Sequence, residues 1–125
     1  MILVDTCGWI EWLVDGELAR KFGPALIDTD HLLVPTTVQF ELYKWVRRER
    51  GEASALEIVA LTEQGRVVSL TSAIALHAGD MALDYGLSFA DAIIYATARQ
   101  QNSQLLTCDR HFEGLDGVSF ISKRP

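Results

Sequence analysis

Four carboxylates in this chain stand where a carboxylate is costly. Asp5 ends the apolar run Ile2-Leu3-Val4, and Asp109 follows the run Gln104-Leu105-Leu106-Thr107 at one residue's remove. Glu41 shares the stripe of Val38, Leu42, Trp45 and Val46, a spacing that marks the core-facing side of a helix. Asp91 enters the segment Ala92-Ile93-Ile94-Tyr95-Ala96-Thr97-Ala98, which is apolar nearly all round and reads as a buried helix. Each position also has a local explanation. Asp5 and Asp109 suit helix N-caps, and Thr6 would cap equally well. Glu41 can pair with Lys44, an exposed contact worth about 0.2–0.5 kcal/mol. Ser88 and Asp91 have capping-box spacing. Asp80 and Asp84 make the contrast: they lie opposite the apolar stripe of Ile74, Ala78, Met81 and Tyr85, and read as solvated. Taken together, the four acids share a logic of strand ends and helix openings. On a parallel sheet they would converge at one edge, and four carboxylates in one cleft repel unless a cation joins them. A hard divalent ion, Mg²⁺ or Mn²⁺, takes oxygen ligands and suits a phosphate substrate.

The elements that must position these acids follow from periodicity. Unalternated apolar runs at 2–4 and 104–107 predict strands buried on both faces, with weaker strands at 32–34, 66–69 and 118–121. Helical patterns cover 8–14, 17–27, 37–50, 52–64, 72–85 and 89–101, and a short one follows Asp109. Gly51, Gly65 and Gly86 sit where helix C-caps belong. Strands alternating with helices predict an α/β fold layered on a parallel sheet. There is no repeat and no low-complexity tract, so 125 residues predict a single domain over 1–125.

Composition narrows the function classes. Lys and Arg number 11 against 17 Asp and Glu, a net charge of −6, which excludes a broad basic face for nucleic acid and disfavours an anionic membrane. No apolar run approaches the roughly 18 residues of a membrane span, and the start has no basic n-region of a signal peptide. A cytoplasmic protein with two free thiols, Cys7 and Cys108, is expected. Neither cysteine has zinc-site spacing, and His31, His77 and His111 are scattered without a ligand pattern.

The chain resembles the PIN-domain family, and within it the VapC-type toxins of toxin–antitoxin pairs. The resemblance is carried by Ile2-Leu3-Val4-Asp5-Thr6 with Trp9-Ile10, and by Val34-Pro35 with Glu41 six residues past the proline. Leu87-Ser88-Phe89-Ala90-Asp91-Ala92 and Leu105-Leu106-Thr107-Cys108-Asp109 with Phe112 complete it. It implies a three-layer α/β/α sandwich with a short, mainly parallel central sheet. It also implies a metal-dependent endoribonuclease for single-stranded RNA, using one or two Mg²⁺ or Mn²⁺ ions. Asp5, Glu41, Asp91 and Asp109 fall on the family's acidic positions, with Asp5, Asp91 and Asp109 as metal ligands. Glu41 would bind metal, directly or through water, or help activate the nucleophile. Thr6 and Thr107 match supporting hydroxyl positions. Cys108 stands where the family often has a basic or polar residue; Cys7 and Cys108 would flank the site, as small packing residues in preference to a redox switch.

The resemblance further implies a homodimer and a small antitoxin partner that covers the acidic groove, often with arginine, and reads operator DNA itself. The segment from Lys44 to Arg50 holds Lys44, Arg47, Arg48 and Arg50 against Glu49. It is either a solvated helix end favoured by the helix dipole or an RNA-backbone contact. Arg99 and Arg110 are lesser candidates. Rival readings are a free-standing PIN nuclease of RNA processing and a non-catalytic antitoxin- or protein-binding module. An acidic phosphotransfer domain is disfavoured, because Asp5-Thr6-Cys7 lacks the second aspartate of the dehalogenase motif.

Overall fold

Short apolar runs become strands, and the order of those strands decides where the carboxylates go. The structure, a computed structural model, describes residues 1–123; the last two residues of the expected domain lie outside the described residues. The elements are β1 (Ile2–Val4), α1 (Thr6–Leu13), α2 (Ala19–Ile27), β2 (Leu32–Pro35), α3 (Thr36–Arg50) and α4 (Glu52–Thr62). They continue with β3 (Arg66–Val68), α5 (Ser72–Tyr85), α6 (Phe89–Gln100), β4 (Gln104–Thr107) and β5 (Val118–Phe120). Single 3₁₀ turns lie at Thr29–His31 and Arg110–Phe112.

All four strand pairings are parallel, so the sheet is wholly rather than mainly so, in the order β3-β2-β1-β4-β5. The chain steps outward from β1 to β2 to β3, then returns across the sheet to β4. Right-handed crossovers place α1 to α4 on one face and α5 with α6 on the other, which gives the three layers. Leu3, Val4, Leu33, Val34 and Leu105 are fully buried between them. Phe22 from α2, Val38 and Leu42 from α3, and Ile94 from α6 close the core. Burying each such side chain contributes about 1.5–3 kcal/mol. Among the described residues no helix is long and apolar enough to cross a membrane.

Local differences from the sequence pattern have physical causes. α1 starts at Thr6 rather than near Gly8, because the Asp5 side chain accepts the Thr6 N–H and caps the helix there. Asp5, not Thr6, is therefore the N-cap. Gly86 ends α5 in the left-handed conformation, as a C-cap glycine should. Gly65 does not cap a helix: α4 stops at Thr62, three residues before it. A Cβ at Gly65 would stand 3.0 Å from the Leu32 carbonyl oxygen and 3.1 Å from Val34 Cγ2. Glycine is needed there so that the chain entering β3 can press against β2.

Candidate active site

The strand order reverses between β1 and β4. Connections leave these neighbours toward opposite faces, and in open parallel sheets a crevice forms beyond the strand C-termini at such a point. Asp5 extends β1 into that crevice, and Asp109 lies just past β4. The first turns of α1 and α6 and the second turn of α3 meet there as well, bringing Thr6, Asp91 and Glu41. All four sequence-selected acids thus come to one edge of the sheet.

The hydrogen bonds lock this edge. Asp5 is buried, 4% exposed. Its Oδ1 accepts the Thr6 N–H at 2.8 Å, and its Oδ2 accepts the Thr107 hydroxyl at 2.8 Å. Thr107 is fully buried, and its Oγ1 also accepts the Asp109 N–H at 2.9 Å. One hydroxyl therefore ties together the two acids that end neighbouring strands. On the other side, the Thr6 hydroxyl donates to Glu41 Oε1 at 2.6 Å. The half-buried Asp91 sits in the first turn of α6, where Ser88 caps the helix and its Oγ accepts the Asp91 N–H at 3.5 Å. Asp109 caps the 3₁₀ turn Arg110–Phe112 by accepting the His111 N–H. Capping and site placement are thus the same act for Asp5 and Asp109.

His111 is the residue that sequence reasoning missed. Its Nδ1 lies 3.0 Å from Asp109 Oδ1 and 3.5 Å from Asp91 Oδ2. Donor atoms of Asp91, Asp109 and His111 all fall within 4.8 Å of one another. Neither Asp5 nor Glu41 belongs to that tight trio, although both are coupled to it by charge: Asp91 acts on Asp5, and Glu41 acts on Asp91. The available signal was position: a histidine two residues beyond an acid that ends a buried strand follows that acid into the crevice.

Electrostatics mark the cluster as short of positive charge. Burial raises the Asp5 carboxyl well above the ordinary aspartate value; nearby Cys7 and Asp91 push the same way, and the Thr107 and Thr6 hydrogen bonds only partly oppose them. Asp91 is raised by burial first, then by the charges of Asp109 and Glu41. Among the described residues no lysine or arginine ion-pairs with any of the four acids. Asp91 and Asp109 offer converging hard carboxylate oxygens, with Asp5 beside them, and His111 adds a borderline imidazole nitrogen. That donor set fits a divalent cation of the Mg²⁺ or Mn²⁺ kind, and a cation there would lower both raised carboxyls.

The basic segment divides. Phe40, Tyr43, Lys44, Arg47 and Arg48 line an open pocket of 480 Å³ on the outer side of α3, the helix that carries Glu41. Lys44 Nζ stands 5.3 Å from the Phe40 ring centre, and Phe40 is 63% exposed. Arg50 points elsewhere, donating to the Leu13 carbonyl at 3.4 Å. Arg99 pairs with Asp116 at 3.0 Å, and Arg110 lies 3.5 Å from Glu113, so the lesser candidates have partners of their own.

Comparison with known proteins bears on the family and the fold. The model of the PIN domain family matches residues 2–118. Among curated proteins none matches the chain by sequence. Among solved structures, a toxin–antitoxin complex from Klebsiella pneumoniae is similar with a TM-score of 0.79 at 23% identity, over 95% of this chain and 96% of that one. VapC20 of Mycobacterium tuberculosis, a toxin that cleaves the sarcin–ricin loop, is similar with a TM-score of 0.75 at 20% identity over the full length of both chains. The DNA-bound VapBC of Salmonella typhimurium is similar with a TM-score of 0.74 at 16% identity, over 98% and 99%.

Proposed function

The chain belongs to the PIN domain family, and from that premise we propose that it is a metal-dependent endoribonuclease for single-stranded RNA, the toxin of a toxin–antitoxin pair. The observation that carries this reading is the convergence of four carboxylates and His111, without lysine or arginine compensation, at the point where the strand order reverses.

Asp5, Asp91 and Asp109 are the residues that would hold the metal, with His111 as a further donor. A bound Mg²⁺ or Mn²⁺ supplies Lewis acidity toward phosphodiester oxygens and neutralises the carboxylates that would otherwise repel RNA. The chain's own contribution is placement. Thr107 and the Thr6 N–H hold Asp5 in a single orientation, and Thr107 fixes the backbone at Asp109. Thr6 holds Oε1 of Glu41, which leaves Oε2 to accept a proton from the attacking water. Lys44, Arg47 and Arg48 meet the RNA backbone along α3, and Phe40 offers an exposed ring on which a base can stack. Arg50 is left out, because it is spent on α1.

The toxin reading rests on the similarity in fold to toxin–antitoxin structures. In it the antitoxin covers the acidic crevice and contacts operator DNA, so that this chain touches DNA only through its partner. The whole chain acts as one domain in the cytoplasm. Exposed Leu70 and Phe89, with Ala75, Gly79 and Ala82 between them, give the α5–α6 side an apolar groove on which a homodimer would close.

The test is cleavage of total RNA by the purified protein with Mg²⁺, with Mn²⁺ and with chelator, beside Asp91→Asn. Cleavage that needs metal and is lost in the variant is expected. Equal cleavage by both proteins, or cleavage indifferent to chelator, refutes the assignment. Rescue of growth by co-expressing a short upstream open reading frame tests the toxin reading separately.

A further inference from the structure

Cys7 and Cys108 are the chain's only cysteines, and they meet beside the acidic cluster. Cys7 lies in the first turn of α1, two residues past Asp5. Cys108 follows β4 directly and precedes Asp109. Parallel pairing sets Val4 opposite Leu106, so the residues just beyond both strand ends become neighbours. Cys7 Sγ accepts the Cys108 backbone N–H at 3.2 Å, which sets one sulfur against the residue that carries the other. The same sulfur lies 3.4 Å from Thr107 Oγ1 and 3.5 Å from Asp5 Oδ2. Both side chains are only half-buried, so a small oxidant can reach the pair.

We propose that Cys7 and Cys108 form a reversible oxidation site whose disulfide disarms the acidic cluster. The oxidant is a low-molecular-weight disulfide of the glutathione class. One protein thiolate attacks it, forming a mixed disulfide and releasing one small thiol. The second protein thiolate then displaces the other small thiol. Two S–H groups are lost and one S–S bond is gained, while the two released thiols carry away the protons and electrons.

The bond brings the sulfurs to about 2.05 Å, well inside the contact distance of two separate thiols. Closing that gap draws Cys7 away from Thr107 and Asp5, or drags the residue next to Asp109. Thr107 is the hydroxyl that joins those two acids, so either movement loosens the cluster. A displacement of about 1 Å in such a site can cost about 100-fold in rate. The loss of hydrolysis rests on the ribonuclease reading; the disulfide itself does not.

The test treats the full chain with oxidised glutathione, then with dithiothreitol. Three readouts are taken: intact mass with peptide mapping, cleavage of single-stranded RNA, and the thermal shift produced by Mn²⁺ alone. The expected result is loss of two hydrogens and a Cys7–Cys108 cross-linked peptide. RNA cleavage should fall about 100-fold and the Mn²⁺ shift should shrink, both restored by the reductant. Cys108→Ser should keep both readouts in oxidant. A stable glutathione adduct without the internal bond overturns the proposal, as does an internal bond that changes neither cleavage nor the Mn²⁺ shift. If the reduced protein cleaves no RNA, the ribonuclease reading fails, and the mass and Mn²⁺ readouts still decide the oxidation site.

Discussion

Replacing Asp5 by asparagine should make the metal-free protein more stable while it removes activity. The Asp5 carboxyl is 4% exposed, accepts two hydrogen bonds of 2.8 Å, and has no lysine or arginine beside it among the described residues. Burial raises its folded pKa above the unfolded value. A group raised in this way binds its proton more tightly when folded. Its contribution to stability is therefore fully present below the unfolded aspartate pKa and is lost as pH rises through the folded one. At pH 8 the metal-free wild type must ionise this carboxyl in a buried site, or keep it protonated against the solution.

The asparagine side chain, having no proton to lose, escapes that cost and still offers an oxygen to the Thr6 N–H. Relieving a site built for function rather than stability is worth about 1–2 kcal/mol, which for a domain of this size is roughly 3–10 °C in Tm. The assay is thermal unfolding of Asp5→Asn and wild type in chelator at pH 8 and at pH 4. The variant should gain at pH 8, and the gain should shrink at pH 4. Added Mn²⁺ should reverse the ranking at pH 8, since a ligand at 100 times its Kd stabilises the protein that binds it by about 2.7 kcal/mol. A variant less stable than wild type by the same amount at both pH values refutes the charge argument and leaves Asp5 as a simple helix cap.

Thr107→Val keeps the shape of a buried side chain but removes the hydroxyl shared by Asp5 and the Asp109 N–H; chemical denaturation should show a loss of about 2–4 kcal/mol, and RNA cleavage should fall with it. Gly65→Ala sets a Cβ against the Leu32 carbonyl, so urea unfolding should show about 1–3 kcal/mol of destabilisation with no change in the metal requirement. Removing Lys44, Arg47 and Arg48 together should weaken single-stranded RNA binding and flatten its log–log salt dependence by about 2, whereas Arg50→Ala should leave the salt slope unaltered.

Local pattern was enough to find most of the acidic cluster. Asp5 and Asp109 are conspicuous because a charge at the end of an unalternated apolar run breaks the rule of the run. Asp91 is conspicuous because everything after it is apolar. Glu41 was visible only as a misfit on a core stripe, and its partner in the fold is Thr6, 35 residues away, rather than the Lys44 that helix spacing suggests. His111 has no apolar context of its own, so neither periodicity nor composition could single it out. Its role appears only when the turn capped by Asp109 aims the ring at Asp91.

The sequence by itself determined the strands, the helices and the identity of the acids, because burial periodicity and capping act over a few residues. Strand order, the crevice between β1 and β4, and the meeting of Cys7 with Cys108 were decided by tertiary structure. Those features join residues about a hundred positions apart, and no local propensity reports on which strands become neighbours. The division also runs through the basic segment. Four cations look alike along the chain, yet helix packing turns Lys44, Arg47 and Arg48 toward one pocket and sends Arg50 to the end of α1.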